Sequence, residues 1–147
     1  MSILIHEIQI YIRRCKVSNI HYKTNDKSLD ASTFIHMANQ IWADKYDLEF
    51  TREALEKTIN TTAWDDEKLV GCARVLTDGY YFGTITEVLV LTEYQRKGIG
   101  KRLMDLAFDT SPTSLFFGAQ PESVGFYESI GYEKSMQSFI KKKTRKR

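Results

Sequence analysis

Residues 88–100 read Val-Leu-Val-Leu-Thr-Glu-Tyr-Gln-Arg-Lys-Gly-Ile-Gly. An apolar, β-branched run gives way to a polar, basic and glycine-containing segment. Apolar residues then return at helical spacing at Ile99, Leu103, Leu106 and Ala107. This change of period predicts a strand, a short loop and a helix. A helix starting here has free backbone N–H groups and a partial positive charge at its first turn. Gly98 and Gly100 leave room for an anion to reach the backbone, and Arg96, Lys97 and Lys101 add positive charge beside it. The chemistry is that of a pyrophosphate cradle. Two better-known phosphate loops do not fit. The G-x-G-x-x-G fingerprint would need glycine where Leu103 stands, and the P-loop would need glycine at Gln95 and Ser or Thr at Arg102.

Upstream of the loop, residues 81–91 are rich in β-branched and aromatic side chains and are expected to form the central strand. Before it, residues 62–64 and 69–76 read as a hairpin around a turn at Asp65, Asp66 and Glu67, and a second turn falls at Asp78 and Gly79. Residues 20–24 suggest a first strand. Phe34, Ala38, Ile41 and Lys45 then recur at helical spacing, with Met37 and Trp42 widening the stripe. Thr51 reads as the N-cap of a second helix, with Glu53 in its first turn, running through Leu55 and Ile59 to about Thr61. Downstream, the helix after the loop breaks near Ser111 and Pro112. Residues 115–118 make a short buried strand, residues 122–129 a compact helix, and Tyr132, Phe139 and Ile140 mark one or two closing strands. The predicted class is α/β (α+β), a mixed sheet with helices on both faces. One domain is expected over residues 20–140. Residues 1–19 form an N-terminal extension, read from Ile8, Ile10 and Ile12 as either an extra strand or a flexible leader.

Composition narrows the classes. Hydrophobic residues make up 42% of the 147-residue chain and charged residues 27%, and no apolar run approaches the roughly 20 residues a membrane helix needs. The first 14 residues lack the order of a secretory signal, so a soluble, cytoplasmic protein is expected. Cys15 and Cys72 have no metal-ligand or CxxC spacing, which points to inert thiols and to no metal. The net charge of +2 conceals a basic tail: residues 141–147 carry six positive charges, and without them the body carries −4. Short basic ends are more often solvated than nucleic-acid-binding, so neither nucleic acid nor a membrane is an expected partner.

Gln95, Gly98 and Gly100 fit the pattern [QR]-x-x-G-x-[GA], and a second block, Gly-Phe-Tyr-Glu-Ser-Ile-Gly-Tyr over residues 125–132, follows at a matching distance. Together they resemble the two motifs of the GNAT N-acetyltransferase superfamily, over residues 22–140. The resemblance implies a twisted sheet in which the central strand parts from the next parallel strand in a V-shaped splay, residues 81–91 from residues 114–118. It further implies acetyl-CoA as co-substrate, a small-molecule or peptide amine as acceptor, and direct transfer in a ternary complex. A homodimer is a compatible assembly, and a coenzyme-binding module with little turnover is the alternative reading.

Carried onto this chain, the resemblance assigns coenzyme contacts to Leu89, Val90, Gln95, Arg96, Lys97, Gly98, Ile99, Gly100 and Lys101. Gln120 stands where many relatives have an asparagine on the coenzyme arm. Tyr127 matches the tyrosine that can give a proton to the departing thiolate. The base is less well marked. Thr84 and Thr86 occupy positions where relatives often carry a carboxylate or histidine, and neither takes a proton at neutral pH. Glu87 is adjacent, but strand alternation points it to the other face unless a bulge turns it. His36 is a further candidate base, and Trp42, Tyr46, Tyr80 and Tyr81 are candidate pocket walls or core. Thr92 and Arg96 depart from the proline and glycine common at their positions in the family.

Overall fold

The computed structural model describes residues 19–144. The candidate strand around Ile8, together with Cys15 and residues 145–147, lies outside them. Nine elements follow in order: β1 (Ile20–Lys23), α1 (Ala31–Ile41), α2 (Leu48–Glu56), β2 (Ile59–Asp65), β3 (Lys68–Thr77), β4 (Gly83–Val90), α3 (Ile99–Thr110), β5 (Leu115–Phe116) and α4 (Val124–Ser129). Single turns of 3-10 helix precede α3 and α4, at Thr92–Tyr94 and Pro121–Ser123. The strands lie side by side in sequence order in one sheet. β1 to β4 run antiparallel, and β5 joins β4 in parallel.

Alternation along β3 sends Gly71 and Ala73 to one face and Cys72 and Arg74 to the other. α3 covers the first face, where a side chain at Gly71 would meet Leu103 and Ile99. α1 covers the second, where the Arg74 guanidinium sits over the Phe34 ring at 5.2 Å. The core fills both layers, with Met37, Val70, Cys72, Val75, Leu89, Leu103 and Met104 all fully buried. Cys72 is thus inert, and burial pushes its thiol well above the ordinary range.

Both early helices begin at an aspartate. Asp30 accepts from the Thr33 N–H and Asp47 from the Phe50 N–H, each at 2.9 Å. The second helix therefore starts four residues before the expected Thr51 cap, because a carboxylate three residues upstream of a free N–H is the stronger cap. Thr51 instead donates its hydroxyl back to the Asp47 carbonyl. α2 ends at Glu56, so Ile59 and Thr61, read as helical, belong to β2.

The loop from β1 to α1 is tied to the sheet by Asp26, which is 5% exposed. Its carboxylate accepts from the Ser28 N–H and hydroxyl, the Thr62 hydroxyl and the Trp64 indole. Burial opposes its ionisation, but these hydrogen bonds outweigh burial and hold its carboxyl below the ordinary value. A group whose folded pKa is depressed contributes stability above its unfolded pKa of about 3.9, and that contribution is lost as pH falls through the folded value. Asp26→Asn is therefore expected to lower the melting temperature at pH 7 and to flatten its decline below about pH 4. Thermal melts between pH 2.5 and 7 check this, and a parallel downward shift at every pH would remove Asp26 from the acid response.

Three expectations are corrected. The central strand begins at Gly83, because Asp78 caps a turn by accepting from the N–H groups of Tyr80, Tyr81 and Phe82. β5 is two residues long and does not extend to residue 118. No closing strand forms at Tyr132, Phe139 or Ile140. Residues 132–144 carry no regular structure, and Phe139 and Ile140 stand exposed.

Candidate active site

β4 and β5 pair at only two positions, Gly83 with Leu115 and Thr84 with Phe116. Gly83 has to lack a side chain here, since a Cβ would fall 2.4 Å from the Thr113 hydroxyl and 3.2 Å from the Ser114 carbonyl. Beyond Thr84 the two strands part. The β4 edge from Ile85 to Val90 thus has no strand beside it on the β5 side, and its outward backbone groups, apart from the Val90 carbonyl that Gln95 engages, are open to another partner. This is the V-shaped splay, and it opens towards the start of α3.

The loop between β4 and α3 is held from three directions. The Gln95 side-chain amide donates to the Val90 carbonyl at 3.0 Å. The Tyr94 hydroxyl donates to Asp65 at 2.7 Å, so the loop is pinned to the β2–β3 turn. Lys68 ion-pairs with Glu93 at 3.0 Å, and Lys68 and Lys97 lie 5.2 and 5.1 Å from the Tyr94 ring centre. Arg96 and Gly98 have φ values of 58° and 80°, and such left-handed residues turn neighbouring N–H groups towards one point, where an anion can sit. No side chain caps α3. A Cβ on Gly98 would have no neighbour within 4 Å, so its need for glycine is conformational, and the space beside it is open. Among the other predicted contacts, Ile99 is buried in the core and Lys101 is paired with Asp105 at 2.6 Å. Gln120 is exposed just after β5.

A pocket of about 550 Å³ lies on the opposite face, between β4, α1 and α2. The sheet register explains which residues reach it. Arg74 pairs with Glu87 and Val75 with Ile85, leaving Thr86 as an extra residue in β4. This bulge is the one on which the reading of Glu87 depended, and it lets Thr86, Glu87 and Leu89 all line the pocket. Glu87 accepts from both Nε and Nη2 of Arg74, an ion pair largely shielded from water. Trp42 and Tyr46 also line this pocket, whereas His36 faces solvent and Tyr80 and Tyr81 are exposed on the β3–β4 turn.

Tyr127 lies elsewhere, in a second cavity of about 730 Å³ beside β5 that Thr84 also lines. Its ring packs against Phe117, Phe126 and Tyr132 at centroid distances of 4.7, 5.1 and 6.2 Å. Burial pushes its hydroxyl above the ordinary value, so the group keeps its proton across the neutral range. The predicted acid and the bulge residues therefore flank β4 from two cavities and do not share one.

The residues missed by sequence reasoning are Arg74, Phe34, Asp47, Phe50 and Glu53, all of which line the first pocket. Arg74 left a signal, because a guanidinium inside the apolar run of residues 69–76 needs a buried partner or a site. The others became neighbours only through the packing of α1 on α2. Among the described residues, no group of three His, Cys, Asp or Glu is arranged to hold a metal ion, and no helix is long and apolar enough to cross a membrane.

A twisted mixed sheet, a splay between its central strands and a glycine turn opening the helix after the splay define an acetyltransferase fold. The acetyltransferase (GNAT) domain family matches residues 24–145, and the chain belongs to it. Among curated proteins it is 39% identical over 74 residues to GCN5-related N-acetyltransferase 2, chloroplastic, of Arabidopsis thaliana, covering 46% of this chain and 28% of that protein. It is 31% identical over 86 residues to histone acetyltransferase TAP1 of Glycine max, covering 54% and 36%. The chain thus spans about a third of the length of these relatives. Among solved structures, a GNAT-family acetyltransferase of Streptococcus pneumoniae superposes with a TM-score of 0.66 at 24% identity, covering 84% of this chain and 99% of that one. An aminoglycoside acetyltransferase from an uncultured soil metagenomic sample, in complex with sisomicin, gives 0.67 at 20% identity, covering 86% and 97%.

Proposed function

We propose that the chain transfers an acetyl group from acetyl-CoA to a primary amine of a small molecule or peptide, directly, with both substrates bound together. The observation that carries this reading is the open β4 edge, which runs straight into the uncapped, left-handed turn at the start of α3. That arrangement fits a ligand with amides along an extended arm and a pyrophosphate at its end. The N–H groups around Gly98 to Lys101 hold the anion, and Arg96 and Lys97 add charge. The edge around Leu89 and Val90 pairs with the arm as a strand would, and a freed N–H there can donate to the carbonyl oxygen that gains charge. Acetyl-CoA supplies the activated thioester. The amine enters neutral at the bulge of Thr86 and Glu87, and its nitrogen bonds the thioester carbon as the carbon–sulfur bond breaks. Tyr127 gives its proton to the departing sulfur, and the proton shed by the nitrogen passes to Glu87 and through water back to the Tyr127 oxygen.

The second reading, a coenzyme-binding module with little turnover, is favoured by one observation. Glu87 already has both oxygens engaged by Arg74, and the neighbouring threonines cannot take a proton. Calorimetric titration of acetyl-CoA, combined with thiol release over an amine panel, separates the two. Binding with amine-dependent release supports transfer. Binding without release from any amine supports the second reading, and absence of binding overturns both.

A further inference from the structure

The loop before α3 is gripped by one short stretch of the β2–β3 hairpin, residues 65–70. The Val70 carbonyl accepts from the Leu91 N–H at 2.9 Å, Lys68 pairs with Glu93 at 3.0 Å, and the Asp65 carboxylate accepts from the Tyr94 hydroxyl at 2.7 Å. The left-handed turn at Arg96 and Gly98 follows directly on these holds, and residues 95–98 are exposed. Tyr94 is where the grip reaches the turn. Its ring packs against the core, which phenylalanine would do as well. Its hydroxyl adds direction, because a hydrogen bond to a carboxylate on β2 fixes where the ring lies. The ring in turn carries the Lys97 ammonium at 5.1 Å, so a cation of the anion turn rests on it. The hydrogen bond to Asp65 pushes the Tyr94 hydroxyl up to about 12, and the donor therefore keeps its proton across the neutral range.

We infer that Tyr94 is a positioning residue for the donor: held by Asp65, it aims the backbone N–H groups of the Gly98 turn and the Lys97 charge at the place a pyrophosphate occupies. This rests on the acetyl-CoA reading above. Tyr94 need not touch the coenzyme to act in this way. Backbone N–H groups bind an anion only when several of them converge on one point, and a tilt of the loop spoils that convergence while the fold survives. The β2–β3 turn then belongs to the donor site although it lies outside the splay. The link between hydroxyl and carboxylate takes part in no chemical step, so its loss reads in donor binding.

The test is calorimetric titration of acetyl-CoA into the full chain and its variants, with amide NMR spectra of the free proteins. Tyr94→Phe keeps the ring and is expected to weaken acetyl-CoA binding about tenfold. Its amide shifts should be confined to residues 65–68 and 92–101, away from Glu87 and Tyr127. Asp65→Ala removes the acceptor, but it also removes a negative charge that opposes a polyanion. Asp65→Asn is its control, since both lack the charge and only asparagine keeps an acceptor oxygen. Asp65→Ala is expected to bind acetyl-CoA about tenfold more weakly than Asp65→Asn. Combined with Tyr94→Phe that difference should vanish, because the hydroxyl it depends on is gone. Tyr94→Phe that binds like the wild type overturns the inference, as does an alanine-to-asparagine difference that persists without the hydroxyl. Shifts spread across the whole sheet would mark the hydroxyl as a general stabiliser and overturn it too. In each of these cases the wild type still binds acetyl-CoA and the donor reading stands. If the wild type does not bind acetyl-CoA, the donor reading fails and this inference with it.

Discussion

Gly98→Glu is expected to abolish measurable acetyl-CoA binding, with a loss of at least a hundredfold, or about 3 kcal/mol. Three effects act together. The new carboxylate stands in the open space beside the α3 N-terminus and opposes a pyrophosphate, its bulk fills the approach, and a φ of 80° strains any residue other than glycine by about 1–3 kcal/mol. Gly98→Asn separates these effects, because asparagine tolerates the left-handed region better than most residues and adds no charge. It should retain the fold and much of the binding. Calorimetry read beside circular dichroism melts checks both variants. A folded Gly98→Glu that binds acetyl-CoA like the wild type would show that the anion sits elsewhere.

Tyr127→Phe is expected to lower kcat about a hundredfold, the usual scale of a positioned general acid, while leaving the Kd for acetyl-CoA unchanged. The phenylalanine keeps the ring contacts with Phe117, Phe126 and Tyr132, so the change isolates the hydroxyl. Because burial raises the hydroxyl's pKa, the wild-type rate should hold to pH values above the ordinary tyrosine value of about 10, with a falling limb that the variant lacks. Undiminished kcat in the variant removes Tyr127 from proton transfer. A lower kcat accompanied by weakened donor binding would mark it as a packing residue for the coenzyme arm.

Much of the structure of the proposed donor side was legible because it is local. The strand, loop and helix around Gly98 are contiguous, and the switch of hydrophobic period with two glycines places them to within a residue or two. The limits of elements were less legible where one side chain decided them. Asp47 won the α2 cap from Thr51, and Asp78 held Tyr80 to Phe82 in a turn that their β propensity would have made strand. The pocket proposed for the acceptor was least legible because it depends on register. Nothing in residues 84–87 alone reveals that Thr86 is an extra residue opposite Arg74, and only that bulge brings Glu87 and Thr86 to the same pocket. The expected closing strands were drawn from Tyr132, Phe139 and Ile140, but apolar residues seven or eight apart, with Lys134, Ser135 and Ser138 between them, give no alternation for a sheet edge to select.

The two-residue seam between β4 and β5 also bears on the lifetime of the protein. A strand whose outer edge is unpaired is a weak point for local opening and for cleavage, and a ligand that pairs with it does the work of a missing strand. Binding to the folded chain alone adds about 2.7 kcal/mol when the ligand is at a hundred times its dissociation constant. On the proposed function, resistance to proteolysis would then rise and fall with the acetyl-CoA supply, and the enzyme's abundance would follow the metabolic state that feeds it.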